Sequence, residues 1–263
     1  MAKRRDRQAS FLGWFADFGQ YILLIIVAAF TIFLVVLAFN RPMTSPSNGS
    51  LQAPTASSMG EATPDPTPTP AAAPTTVAFL GDSYTSGDGT TSVDTRWSTQ
   101  LSSANGWTEV NAGIADTGYG TAGTTADARP YTERVADIAA ATPDIVVVSG
   151  GRFDYSGSSS ATAVSAAITA IFTDLRAGLP EAQIIAIGPL WDASDTPARL
   201  AEITGEVQTA VESVDGTFID AGQPLEGHPG LIADDSIAPN DEGHTVLFQT
   251  IRAALEPLVT ATP

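Results

Sequence analysis

Cysteine occurs nowhere in the 263 residues, which excludes disulfides, thiolate zinc sites and a cysteine nucleophile. Lysine occurs once, at Lys3, so the rest of the chain cannot build a Ser–Lys dyad. Histidine occurs twice, at His228 and His244, and any imidazole base is one of these two. Two imidazoles without a thiolate argue against zinc, and no other metal or cofactor is expected. Positive charge is scarce beyond the start of the chain: residues 77–263 carry 7 arginines and no lysine against 25 carboxylates, a net of −18. Such a surface repels phosphate backbones, so no nucleic-acid partner is expected. It keeps a domain soluble; attraction of cations or cationic polymers is the sharper alternative.

The N-terminal part has the opposite character. Lys3, Arg4, Arg5 and Arg7 form a basic cluster, and from Tyr21 to Phe39 nineteen residues run without a charge. As a helix, residues 21–39 would span about 28 Å, roughly one hydrocarbon core. Trp14, Phe15, Phe18 and Tyr21 fall where an interfacial aromatic belt would lie. The reading is a cytoplasmic segment 1–20, a single transmembrane helix 21–39 and everything after it outside the cytoplasm, in a bacterial cell envelope. A cleaved signal peptide is the competing reading. The apolar run is longer than an ordinary signal core, and no A-x-A-like site precedes Asn40 and Arg41, which favours an uncleaved anchor. Residues 40–75 read as a stalk: residues 41–76 hold 8 of the 18 prolines among threonine, alanine and serine, a composition that extends but cannot bury a core.

From residue 76 to 263 the pattern is that of a folded domain. Short β-rich runs at 76–80, 108–112, 144–149, 183–188 and 217–220 alternate with helical patterns at 96–104, 131–141, 161–177, 197–214 and 241–258. Asn240 is the expected N-cap of the last helix. Alternation of this kind predicts an α/β fold, a flavodoxin-like three-layer α/β/α sandwich on a five-stranded parallel sheet. The ligand crevice of such a sheet lies beyond the carboxyl ends of its strands. Segments 81–87, 113–120, 150–154, 188–192 and 225–244 fall there, and they are rich in glycine, aspartate and serine.

Four of these segments carry a resemblance. They read Phe79-Leu80-Gly81-Asp82-Ser83-Tyr84-Thr85-Ser86-Gly87, Asn111-Ala112-Gly113-Ile114-Ala115-Asp116-Thr117-Gly118-Tyr119, Val148-Ser149-Gly150-Gly151-Arg152-Phe153-Asp154 and Asp235-Ser236-Ile237-Ala238-Pro239. In this order and spacing the domain resembles the SGNH/GDSL hydrolases. The resemblance implies ester hydrolysis: Ser83 as nucleophile, a histidine of the last block as base, and Asp235 orienting it. It also implies an oxyanion hole made by the serine N–H, a glycine N–H of the second block and an asparagine amide of the third.

Three positions depart from that pattern. Ala238 stands in the histidine slot and cannot accept a proton. Phe153 stands where the family has asparagine before Asp154, and a phenyl ring offers no donor. Asp116 stands where the family has glycine; its N–H survives but brings a carboxylate, unless Gly113 is the relevant glycine. Loss of a triad histidine costs a serine hydrolase about 10⁶ in kcat, and loss of one oxyanion donor about 10²–10³. Candidate site residues are therefore Ser83 and Asp235 with His228, in the loop Glu226-Gly227-His228-Pro229-Gly230, as a relocated base. Asp82, Gly113, Asp116, Gly151, Phe153 and Asp154 are the candidate binding residues. His244 is expected to be structural. The favoured function is a degenerate domain that binds an acylated carbohydrate or lipid, or a protein partner, at the cell envelope. The alternatives are an active serine esterase or deacetylase using Ser83 and His228, and a purely structural module.

Overall fold

A computed structural model describes residues 73–125, 127–157, 159–234 and 237–259. The expected transmembrane helix, residues 40–72 of the expected stalk and Asp235 lie outside these residues. Among the described residues, no helix is long and apolar enough to cross a membrane.

Five strands form one parallel sheet: β1 Thr76–Gly81, β2 Thr108–Gly113, β3 Ile145–Ser149, β4 Gln183–Ile187 and β5 Thr217–Ile219, in the order β2-β1-β3-β4-β5. Each matches its expected run to within a residue at either end. The strands form where β-branched residues cluster, and their alternation decides the layers. Ala78 and Leu80 of β1 point into a core with Val146 and Val148 of β3 and with Ile184 and Ala186 of β4. Val77 and Phe79 point the other way, with Val147, Ile185, Ile187 and Ile219. Both faces are apolar, so both need covering.

Among the described residues, seven helices flank the sheet: α1 Ser83–Ser86, α2 Trp97–Asn105, α3 Val135–Ala140, α4 Arg152–Ser156, α5 Ala161–Gly178, α6 Ala198–Glu212 and α7 Asp241–Val259. Val164, Ile168, Ile171, Phe172 and Leu175 of α5 recur at helical spacing and are buried on the first face, beside Ile203 and Val207 of α6. Trp97 and Leu101 of α2 and Leu247, Ile251 and Leu255 of α7 close the second. Asn240 Oδ1 accepts the Gly243 N–H at 2.9 Å, so it caps α7 as its sequence position suggested.

The helix expected over 131–141 is divided instead into a 3₁₀ turn Tyr131–Glu133 and α3. The break falls at Arg134, whose buried guanidinium turns inward to the Gly81 and Ala112 carbonyls and to Thr117 Oγ1. α1 and α4 were not foreseen, being too short for any periodicity to register.

The chain leaves β1 for β2 on one side and returns to β3 on the other. The crevice at this reversal opens where Gly81 pairs with Ser149. Ser83 follows two residues after Gly81, and Arg152 follows three after Ser149.

Candidate active site

Asp82 ends the turn out of β1 and caps α1, its carboxylate accepting the Tyr84 N–H at 3.0 Å. That cap fixes Ser83 as the first helical residue. Its Oγ accepts the Asp116 N–H at 3.0 Å. Asp116 has φ of +60°, a left-handed conformation that glycine adopts freely and aspartate tolerates at a modest cost. The backbone shape of the family's glycine is thus kept by another residue. Gly113 is the weaker candidate for this donor, because its N–H is engaged by Asn111 Oδ1 at 2.9 Å. Gly113 matters for close approach: a Cβ there would collide with the backbone N of Ser86 in α1.

Ser83, Asp116, Arg152 and Ala238 line a common cleft of about 960 Å³, with Asp88 and Asp234 also on its wall. Tyr84 Oη donates to the Ile237 carbonyl at 3.0 Å, tying the last block to the serine turn. Ala238 therefore faces the same space as Ser83, and it brings a methyl group where the family brings imidazole.

Behind the cleft wall, Asp154 holds the second block in shape. Its carboxylate accepts the Tyr119 N–H at 2.7 Å, the Gly120 N–H at 3.0 Å and the Thr121 hydroxyl at 2.9 Å. Burial pushes its pKa up despite these donors. Burial likewise raises Asp82 to about 6, while the Arg152 charge pulls the other way. Gly151, with φ of +114°, makes the left-handed turn into α4. Phe153 is half-buried, its ring 4.7 Å from the Arg152 guanidinium carbon.

The histidines fall elsewhere. His228 is exposed at the turn before the 3₁₀ segment Pro229–Leu231 and is not a cleft-lining residue. His244 is fully buried: its Nδ1 accepts the Trp97 N–H at 3.4 Å and its Nε2 faces the Asp88 carbonyl at 3.3 Å. Those partners require a neutral ring protonated at Nε2, and burial lowers its pKa to about 4. It caps the first N–H of α2, where Arg96 supplies no side-chain cap.

Ser83, Asp116 and Ala238, singled out by the sequence motifs, line one cleft, whereas Asp82 is buried as the cap of α1. Arg152 also lines the cleft; its signal in the sequence is a charge between a buried strand and a short helix. Asp234 lies in the expected crevice segment 225–244, and Asp88 falls one residue beyond the expected segment 81–87.

With this geometry established, comparison with known proteins is consistent across sequence and fold. The family model described as GDSL-like Lipase/Acylhydrolase matches residues 79–246. A GDSL lipase of Mycobacterium tuberculosis is 26% identical over 186 residues, covering 66% of this chain and 79% of that protein. Two solved structures share the fold. A family two carbohydrate esterase of Clostridium thermocellum in complex with cellohexaose has a TM-score of 0.59 at 17% identity, covering 73% of this chain and 67% of that one. A lipolytic protein of the G-D-S-L family from Desulfitobacterium hafniense has a TM-score of 0.55 at 19% identity, covering 69% of this chain and 99% of the other.

Proposed function

The chain belongs to the GDSL-like lipase/acylhydrolase family, and on that premise we propose that this member binds an acylated carbohydrate or lipid in the Ser83 cleft without efficient ester turnover. Residues 21–39 anchor it in the membrane in this reading, and the stalk holds the domain outside the cytoplasm. The observation that carries the proposal is Ala238, which lines the cleft beside Ser83 while His228 does not. A serine hydroxyl with no base to take its proton is a poor nucleophile. The third-block donor is missing as well, since Phe153 has only a ring to offer. A carbohydrate ligand is suggested by the fold shared with the carbohydrate esterase.

Fluorophosphonate labelling of the full chain beside Ser83→Ala is the test. Equal, background labelling of the two proteins is expected. Saturable labelling and ester turnover that vanish in the variant would overturn the reading.

One observation favours a second reading, an active esterase. The Asp116 N–H still points at Ser83 Oγ, so two of the three expected oxyanion donors, the Ser83 and Asp116 N–H groups, are retained. In that case His228 is the candidate base, brought in by movement of its loop, and His228→Ala would abolish Ser83-dependent turnover.

A further inference from the structure

Among the described residues, Arg152 is a buried charge with no acceptor in direct contact; the Asp82 carboxylate acts on it only through space. It is 4% exposed, and its guanidinium carbon lies 4.7 Å from the ring centroids of both Tyr84 and Phe153. Its Nε is buried with no hydrogen-bond partner, and among the described residues no carboxylate lies within ion-pair distance of it. Arg134 Nε and Arg199 Nη2 are also buried without partners, but the inward-facing arginines other than Arg152 place further donors on acceptors. Arg134 donates to two carbonyls and a hydroxyl, and Arg176 donates to four carbonyls. Arg96 and Arg199 have carboxylate partners. A guanidinium taken out of water without acceptors is costly, and a planar fork of donors matches a carboxylate in two-point contact. The two rings hold that fork in place before any ligand arrives, which spares ordering entropy on binding.

The rest of the cleft has a different chemistry. Asp88, Asp116 and Asp234 line it, and Asp116 and Asp234 are exposed. Carboxylates accept hydrogen bonds readily from hydroxyl groups, so this wall suits a polyol. An isolated apolar acid would find no such wall, and a neutral sugar would leave the arginine unmatched. A volume of about 960 Å³ admits one or two sugar rings.

We propose that Arg152 is the carboxylate-binding residue of the Ser83 cleft and that the ligand is a sugar acid, its carboxylate on Arg152 and its hydroxyls on the aspartates. This rests on the binding reading above and gives the ligand a chemical class. It also accounts for Phe153, since the residue that replaces the family's amide donor is one of the two rings that hold the new donor.

The test uses full-length protein in detergent micelles and three probes, D-glucuronate, D-glucose and acetate, titrated by calorimetry or saturation-transfer NMR. Glucuronate is expected to bind at least tenfold more tightly than glucose or acetate. Arg152→Met should erase that preference, and Arg152→Lys should retain part of it. Circular dichroism on both variants separates loss of binding from loss of fold, and the lysine variant carries the test if the methionine variant does not fold. Equal affinity for glucuronate and glucose, no binding of glucuronate, or an unchanged preference in Arg152→Met would overturn the proposal. Acetate binding as tightly as glucuronate would overturn its carbohydrate half. Ser83-dependent hydrolysis of 4-nitrophenyl acetate, inhibited by glucuronate, would sink the non-turnover reading while leaving the sugar-acid site standing.

Discussion

His244 and Asp82 carry opposite pH dependences that nearly cancel, and replacing either one should unmask the other. The imidazole is buried and neutral, its pKa lowered from an unfolded value of 6.5 to about 4. A depressed folded pKa gives stability that is complete above pH 6.5 and is lost as pH falls toward 4. The fall from 6.5 to about 4 amounts to about 3 kcal/mol. Asp82 moves the other way, from 3.8 unfolded to about 6 folded. Its contribution is complete below pH 3.8 and is lost as pH rises through 6, again by about 3 kcal/mol. In the native protein the two slopes oppose each other across pH 4 to 6. His244→Asn keeps an acceptor for the Trp97 N–H but cannot titrate. Relative to the native chain, its stability deficit should be largest at pH 7 and shrink by about 1.4 kcal/mol per unit between pH 6.5 and 4. Asp82→Asn should show the reverse, improving on the native chain as pH rises from 4 to 6. Urea unfolding at half-unit pH intervals reads both differences, and the contributions of titrating groups not coupled to the substituted residue cancel in them. A His244→Asn curve parallel to the native one through this window would refute the assignment of a buried neutral imidazole.

The remaining predictions concern the cleft and its frame. Ala238→His restores an imidazole facing Ser83 and should raise the rate of fluorophosphonate labelling at least tenfold; an unchanged rate would mean that the missing base is not what limits the serine. Asp116→Gly keeps the N–H at Ser83 Oγ, removes a carboxylate and relieves a left-handed backbone, so labelling in the Ala238→His background should rise further, with thermal stability changed by no more than about 1 kcal/mol. Asp154→Ala strips the acceptor from two backbone N–H groups and one hydroxyl, and a loss of about 3 kcal/mol or more is expected in urea unfolding; a loss below 1 kcal/mol would show that the second block is held by other contacts. Arg134→Met removes the side-chain donor from the Ala112 carbonyl and from Thr117 Oγ1, while Gly81 O keeps the Ile114 N–H at 3.1 Å; a cost of about 1–3 kcal/mol is expected, and a stability equal to the native protein's would mean that the freed acceptors find other partners.

Much of the frame was legible because it is written in local patterns. Alternating apolar runs gave five strands, and the longer amphipathic periods gave α2, α5, α6 and α7. α1 and α4 are only a turn or so long, and the division of the 131–141 helix depends on three acceptors that lie far from Arg134 in sequence. Within the site, motif spacing brought out Ser83, Asp82, Asp116 and the substitution at Ala238. It could not choose between Gly113 and Asp116 as the second-block donor. That choice turns on where each N–H points: one to the neighbouring Asn111 side chain, the other to Ser83.

The sequence by itself determined the fold class and the substitutions that empty the histidine and asparagine slots, because residue identity alone says which groups can donate or accept a proton. Only the tertiary structure decided which groups share the cleft. Parallel pairing of β1 with β3 puts Gly81 beside Ser149 across 68 positions of sequence, and so places Ser83 and Arg152 on one cleft wall while leaving His228 off it. The burial that leaves Arg152 without a direct acceptor, and His244 a neutral cap, arises from side chains contributed by many segments at once, and no local pattern encodes it.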